Sequence, residues 1–145
     1  MPYTVKNDKN ISTVIAFGRD IKEVFNDGAR GVLSIPYDIE HISGVDTAPI
    51  TVHASGANAL FQDWIKELFA FATLREVAVV EVEVHSIQQI NNTDMLLTAT
   101  VWTTSLKDAK KNATGIEFRD VRKGSALCKE KSGLWQCEVI VNTTA

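Results

Sequence analysis

Gly18-Arg19-Asp20-Ile21-Lys22-Glu23-Val24-Phe25, running on to Gly31-Val32-Leu33, and Leu60-Phe61-Gln62-Asp63-Trp64-Ile65-Lys66-Glu67-Leu68-Phe69 decide the fold of this chain. In both stretches apolar residues recur at three- and four-residue spacing, the period of a helix with one dry face. Over Gly18–Leu33 that face carries Ile21, Val24, Phe25, Ala29, Val32 and Leu33. Over Ser55–Ala72 it carries Leu60, Phe61, Trp64, Ile65, Leu68 and Phe69, with Gln62, Asp63, Lys66 and Glu67 on the wet side. Asp20-x-x-Glu23 reads as a capping box at the start of the first helix. Gly28 and Gly31 each weaken that helix by roughly 1 kcal/mol, which close approach to a sheet would explain.

Outward from the helices the period changes to two. Val14-Ile15-Ala16-Phe17 is a short strand before the first helix, and a strand near Pro49–Ala54 precedes the second. Val80, Val82 and Val84 alternate with Glu81, Glu83 and His85. After turn residues from Gln88 to Asp94, Leu97, Ala99 and Val101 alternate with Thr98, Thr100 and Trp102. This pattern places valines inward and polar groups outward in a hairpin. A lysine-rich loop over 106–112 leads to a second hairpin, Ile116–Cys128 and Leu134–Asn142, turning at Lys129–Gly133. Two helices separated by strands that pair mostly as antiparallel hairpins predict an α+β fold, with both helices on one face of the sheet.

The chain has 145 residues, 45% of them hydrophobic and 23% charged, which fits one globular domain spanning 1–145. A net charge of −3 gives no global field for nucleic acid, so strong direct nucleic-acid binding is not expected. No stretch reaches the ~20 apolar residues of a membrane helix, and Met1-Pro2-Tyr3-Thr4 does not open a leader, so a cytoplasmic protein without a membrane partner is expected. No nucleophile–base pair stands out, and His53 and His85 read as exposed strand residues, so no catalytic residue is assigned and an enzyme is not expected. Cys128 and Cys137 lie across the second hairpin. They read as reduced strand cysteines, with a disulfide open to them only if they face each other.

The order of elements and several of their residues resemble the archease family, small α+β proteins built around a strand-helix-strand module. There an aromatic-Gly pair precedes a helix like Thr-Leu-Glu-Glu-Ala-Phe; here Phe17-Gly18 precedes Asp20-Ile21-Lys22-Glu23-Val24-Phe25. Gly31-Val32-Leu33-Ser34-Ile35-Pro36-Tyr37-Asp38 is similar to the family's Gly-Met-Phe-x-Leu-Met-x-Asp. Leu60–Phe69 resembles its Leu-Leu-x-Asp-Trp-Leu-Asn-Glu-Leu-Leu, and Gly115–Asp120 stands where the family has Gly-Thr-Glu-Val-Lys-Ala. The resemblance implies a non-catalytic, chaperone-like accessory protein whose partner is an RtcB-type RNA ligase of tRNA splicing and RNA repair. It also implies acidic residues around a divalent metal, calcium or magnesium.

At those acids the chain departs from the family. The family's His-Thr-Ala-Asp window reads Asn7-Asp8-Lys9-Asn10-Ile11-Ser12 here, so an ungapped count puts Ile11 on the aspartate and a one-residue slip offers Asn10. The closing Asp-Ile corresponds to Val141-Asn142-Thr143. Asp38, Asn10 and Asn142 are thus what remains of the implied metal set, and only Asp38 is an acid. Cation affinity falls steeply with ligand charge, so the expected site is weak or absent. Trp102, Lys107, Lys110 and Lys111 are candidate partner-binding residues: an aromatic on the face opposite Leu97 and Val101, and a cationic run. The alternative reading is a protein-binding module of the same fold without metal or ligase.

Overall fold

A computed structural model describes residues 3–122 and 127–144. The elements run β1 (Tyr3–Asp8), β2 (Ile11–Gly18), α1 (Ile21–Leu33), a 3-10 turn (Ile39–His41), β3 (Asp46–Ser55), α2 (Ala57–Arg75), β4 (Val77–Gln89) and β5 (Asp94–Ser105). Then come the short α3 (Leu106–Ala109), a second 3-10 turn (Lys110–Asn112), β6 (Glu117–Val121), β7 (Leu127–Lys131) and β8 (Leu134–Thr144).

All described strand pairs are antiparallel, and they form two sheets. One has the order β1-β2-β8, with β6 and β7 sharing the far edge of β8 end to end; the other is β3-β5-β4. The α+β class with both long helices on antiparallel sheet is therefore as expected, while the single sheet resolves into two. Both helices touch both sheets: α1 packs on β1, β2 and β8 and on β4, and α2 packs on β3, β4 and β5 and on β6 and β7. One hydrophobic core runs through these layers, from Val14, Val139 and Val141 through Phe25, Phe61 and Trp64 to Val82, Leu97 and Val101.

The helix ends follow their caps. The Asp20 carboxylate accepts from the Glu23 amide at 2.8 Å, while Glu23 reaches the Arg19 amide rather than that of Asp20. Gly31 lies against β2, where a Cβ would overlap Val14 Cγ1, so the close approach expected of this glycine is real. The second helix continues past Ala72 to Arg75 and stops at Glu76, whose φ of 54° is left-handed. Its amide returns to the carbonyls of Ala72 and Thr73, closing the last turn.

Three further differences have local causes. β1 was not foreseen, because Tyr3–Asp8 mixes polar and apolar residues too evenly to show a face; Asn10, at φ 60°, makes the tight turn that pairs it with β2. The lysine-rich loop is instead helical: the Ser105 hydroxyl accepts from the Asp108 amide at 3.0 Å and starts α3, and Ala109 is buried beside Ala78 and Val80. The strand expected over Ile116–Cys128 is β6 and β7, with a register shift between Phe118 and Asp120; its stretch 123–126 lies outside the described residues.

Candidate functional site

The residues singled out above fall into three places. At the end of α1 the chain turns through Ile35-Pro36-Tyr37-Asp38 and is stitched to the segment after α3. Asp38 donates its amide to the Asn112 carbonyl at 2.8 Å, Thr114 donates its amide to Pro36, and Tyr37 bridges to Ala113. The Thr114 hydroxyl closes the seam on the Ile35 carbonyl. Asp38 is thereby held beside the lysine segment, although 72 residues separate it from Lys110 in sequence (110 − 38). Its carboxylate is exposed and takes a hydrogen bond from His41 Nδ1 at 2.7 Å. Lys107, Lys110 and Lys111 are exposed, and Lys111 reaches Asp108 at 3.4 Å.

Asn10 and Asn142 form the second place. Asn142 pairs with Ile11 across β2 and β8, and the Asn10 carbonyl accepts from the Thr143 amide at 3.0 Å. The Asn142 side-chain amide donates to Asp120 Oδ1 at 2.6 Å. Asp120 is a carboxylate beside this strand end that the sequence reading did not pick out, because the bulge after Phe118 is what sets it opposite Asn142.

This set does not fit a hard cation. Asp38 is engaged with His41, Asn142 turns an N–H rather than an oxygen toward Asp120, and no hydrogen bond or ion pair joins Asp38 to either asparagine among the described residues. Among those residues no three His, Cys, Asp or Glu side chains converge as metal ligands. A divalent ion needs several converging oxygens, most of them charged.

Trp102 occupies the third place. It is half-buried, stands between Thr47 of β3 and Glu81 of β4, and packs against Gly44, where a Cβ would come within 2.5 Å of the Trp102 Cβ. Beside it runs a polar crevice between α1 and β4, lined by Lys22, Glu23, Asn26, Arg30 and Glu83. Arg30 Nε donates to Glu81 at 2.7 Å, and Asn26 Oδ1 accepts from the Val84 amide at 2.9 Å, so α1 caps the free edge of β4. Asp27, one turn before, is buried; desolvation pushes its carboxyl pKa up, and Arg30 at 3.9 Å offsets this only in part.

A fourth feature has no local signature in the sequence. Phe69 of α2 and Phe118 of β6 stack with ring centroids 3.4 Å apart and planes 2° from parallel. An apolar groove of about 430 Å³ opens on one side, lined in part by Leu33, Pro36, Tyr37, Leu68 and Leu106. Each phenylalanine was visible in its own segment, but only the tertiary fold brings the two together.

Two solved structures share this fold. The solution structure of Methanobacterium thermoautotrophicum protein 1598 is similar with a TM-score of 0.81 at 17% identity, over 97% of this chain and 98% of that one. The crystal structure of an archease from Thermotoga maritima, described as a possible chaperone, gives a TM-score of 0.56 at 11% identity, over 90% and 88%. No curated protein matches the chain. The family model of the archease protein family (MTH1598/TM1083) matches residues 12–142. The chain belongs to the archease family.

Proposed function

We propose that this archease acts as a non-catalytic accessory protein on an RtcB-type RNA ligase, through protein contacts. The observation that carries the reading is the seam between 35–38 and 112–114, which holds the exposed Asp38 next to the exposed Lys110 and Lys111. A carboxylate and two ammonium groups presented on a backbone-pinned corner offer a partner both signs of charge in fixed register, which favours specificity over raw affinity. The apolar groove lined by Leu106, at the start of the same lysine segment, supplies adjacent dry surface. The test is guanylylation of an RtcB-type ligase by GTP, with and without this protein. Stimulation by the wild type that drops at least tenfold in Asp38→Ala, or in the Lys110→Ala/Lys111→Ala double variant, supports the reading. No stimulation by the wild type rejects it.

A second reading is a protein-binding module that has left the ligase, and the Asn142–Asp120 and Asp38–His41 pairs favour it. In both, groups that would face a cation are satisfied by a neighbour instead. Stimulation of the ligase separates the two readings, and thermal melts in millimolar calcium, magnesium or manganese test the cation side, because an ion that binds only the folded state must raise Tm. An unchanged Tm together with an unstimulated ligase leaves the module.

A further inference from the structure

Cys128 of β7 and Cys137 of β8 are register partners, and their sulfurs lie 2.8 Å apart. Both are buried free thiols, at 4% and 1% exposure. Facing residues in an antiparallel ladder come in two kinds, told apart by where their amides point. The Cys128 N–H turns outward, donating to Asn58 Oδ1 of α2 at 2.7 Å, away from β8. The pair is therefore of the non-hydrogen-bonded kind, whose Cα atoms approach to about 4.5 Å. That falls inside the roughly 4.4–6.8 Å window a disulfide spans, so a bond can close without moving either strand.

We propose that Cys128 and Cys137 form a modification site, a latent cross-strand disulfide closed by exchange with a small-molecule disulfide of the oxidised-glutathione class. One cysteine thiolate attacks a sulfur of the small disulfide, breaks its S–S bond and releases one thiol, which carries off the proton. The other thiolate attacks the protein sulfur of this mixed disulfide, forms the Cys128–Cys137 bond and expels the second thiol. Two protein thiols are oxidised and one small disulfide is reduced to two thiols, so the step balances with no further reactant. Burial, and then the contact with Cys128, hold the Cys137 thiol far above its ordinary pKa, so thiolate is scarce while the strands stay closed. Exchange proceeds when β7, which among the described strands pairs with β8 alone, lifts away. Closing the bond then fastens this edge strand to the sheet beneath α2.

The experiment equilibrates the full chain in graded glutathione redox buffers, once in native buffer and once in guanidinium, and reads the products by acid quench and mass spectrometry. The native chain should lose two hydrogen masses. Its half-oxidation should fall at a glutathione ratio on the order of 100-fold more reducing than for the denatured chain, the loop-closure entropy of so short a segment. A native chain that stays reduced where the denatured chain has closed, or that stops at a glutathione adduct, overturns the proposal. Melting supplies a second readout. Oxidation should raise the wild-type Tm and leave Cys137→Ser unchanged, and an oxidised wild type that melts below the reduced chain overturns it equally.

Discussion

The indole N–H of Trp64 donates to the backbone carbonyl of Phe25 at 3.0 Å, inside the core, with both residues fully buried. This bond ties α2 to α1 at a point where their rings also meet, since Phe25 and Phe61 stand edge to face with centroids 5.1 Å apart. It fixes how the helices cross between the two sheets. Trp64→Phe removes the donor and leaves a void beside the Phe25 carbonyl. Urea denaturation should show a loss of about 2–3 kcal/mol with an unchanged m-value. A loss below 0.5 kcal/mol, about the size of an ordinary surface substitution, would mean that the bond does not orient the helices.

Gly31 poses the opposite problem. Alanine is the better helix former by roughly 1 kcal/mol, yet here its methyl would overlap Val14 and crowd the Tyr3 ring. Overpacking of this kind costs about 1–3 kcal/mol. Gly31→Ala should therefore lower stability despite the gain in propensity. Pairing it with Val14→Ala, which vacates the space, should cost less than the sum of the two single changes in a double-mutant cycle.

Asp27 gives the fold a pH dependence of known sign. Desolvation raises its carboxyl pKa in the folded state above the ordinary value, so the folded chain keeps this proton longer than the unfolded chain does. Between the two values the folded state binds more protons, and stability from this group falls as pH rises. The loss sets in above the ordinary carboxyl value and runs up through the raised folded one. Asp27→Asn should accordingly raise the urea midpoint at about pH 7 and leave it nearly unchanged at about pH 3, where the carboxyl is protonated in both states. A fall at neutral pH would show that the ion pair with Arg30 outweighs desolvation.

Asn58 gives the Cys128 amide of edge strand β7 its partner. Asn58→Ala should cost about 1 kcal/mol. Hydrogen exchange is the sharper readout, because the Cys128 amide should exchange faster while the buried amides of β8 keep their protection. Equal rates in variant and wild type would refute the capping role.

Period and spacing carried most of the fold. The faces of α1 and α2, the β4–β5 hairpin and the final strand could each be read locally, because their signals sit within one or two turns of chain. What stayed hidden depends on partners far away in sequence. The division into two sheets is set by α1 lying along the edge of β4 through Asn26 and Arg30, and β1 shows as a strand only through its pairing with β2. The candidate site divides along the same line. Asp38 and the lysines were visible one at a time, whereas their meeting depends on three hydrogen bonds between 35–38 and 112–114. Asn142 was visible too, but its bond to Asp120 follows from a bulge that no periodicity announces.

β8 stands at the centre of its sheet, with β2 on one side and β6 and β7 on the other. It is also the last of these strands to leave the ribosome. Until residues 134–144 emerge, β2 has only β1 beside it, and β6 and β7 have no described strand to pair with. The β3-β5-β4 sheet and α2 precede it in synthesis and can assemble first. One sheet can thus mature on the nascent chain while the other waits for the eleven residues of β8, and a stalled or clipped product ending before 134 would present bare β-edges to every neighbour it meets.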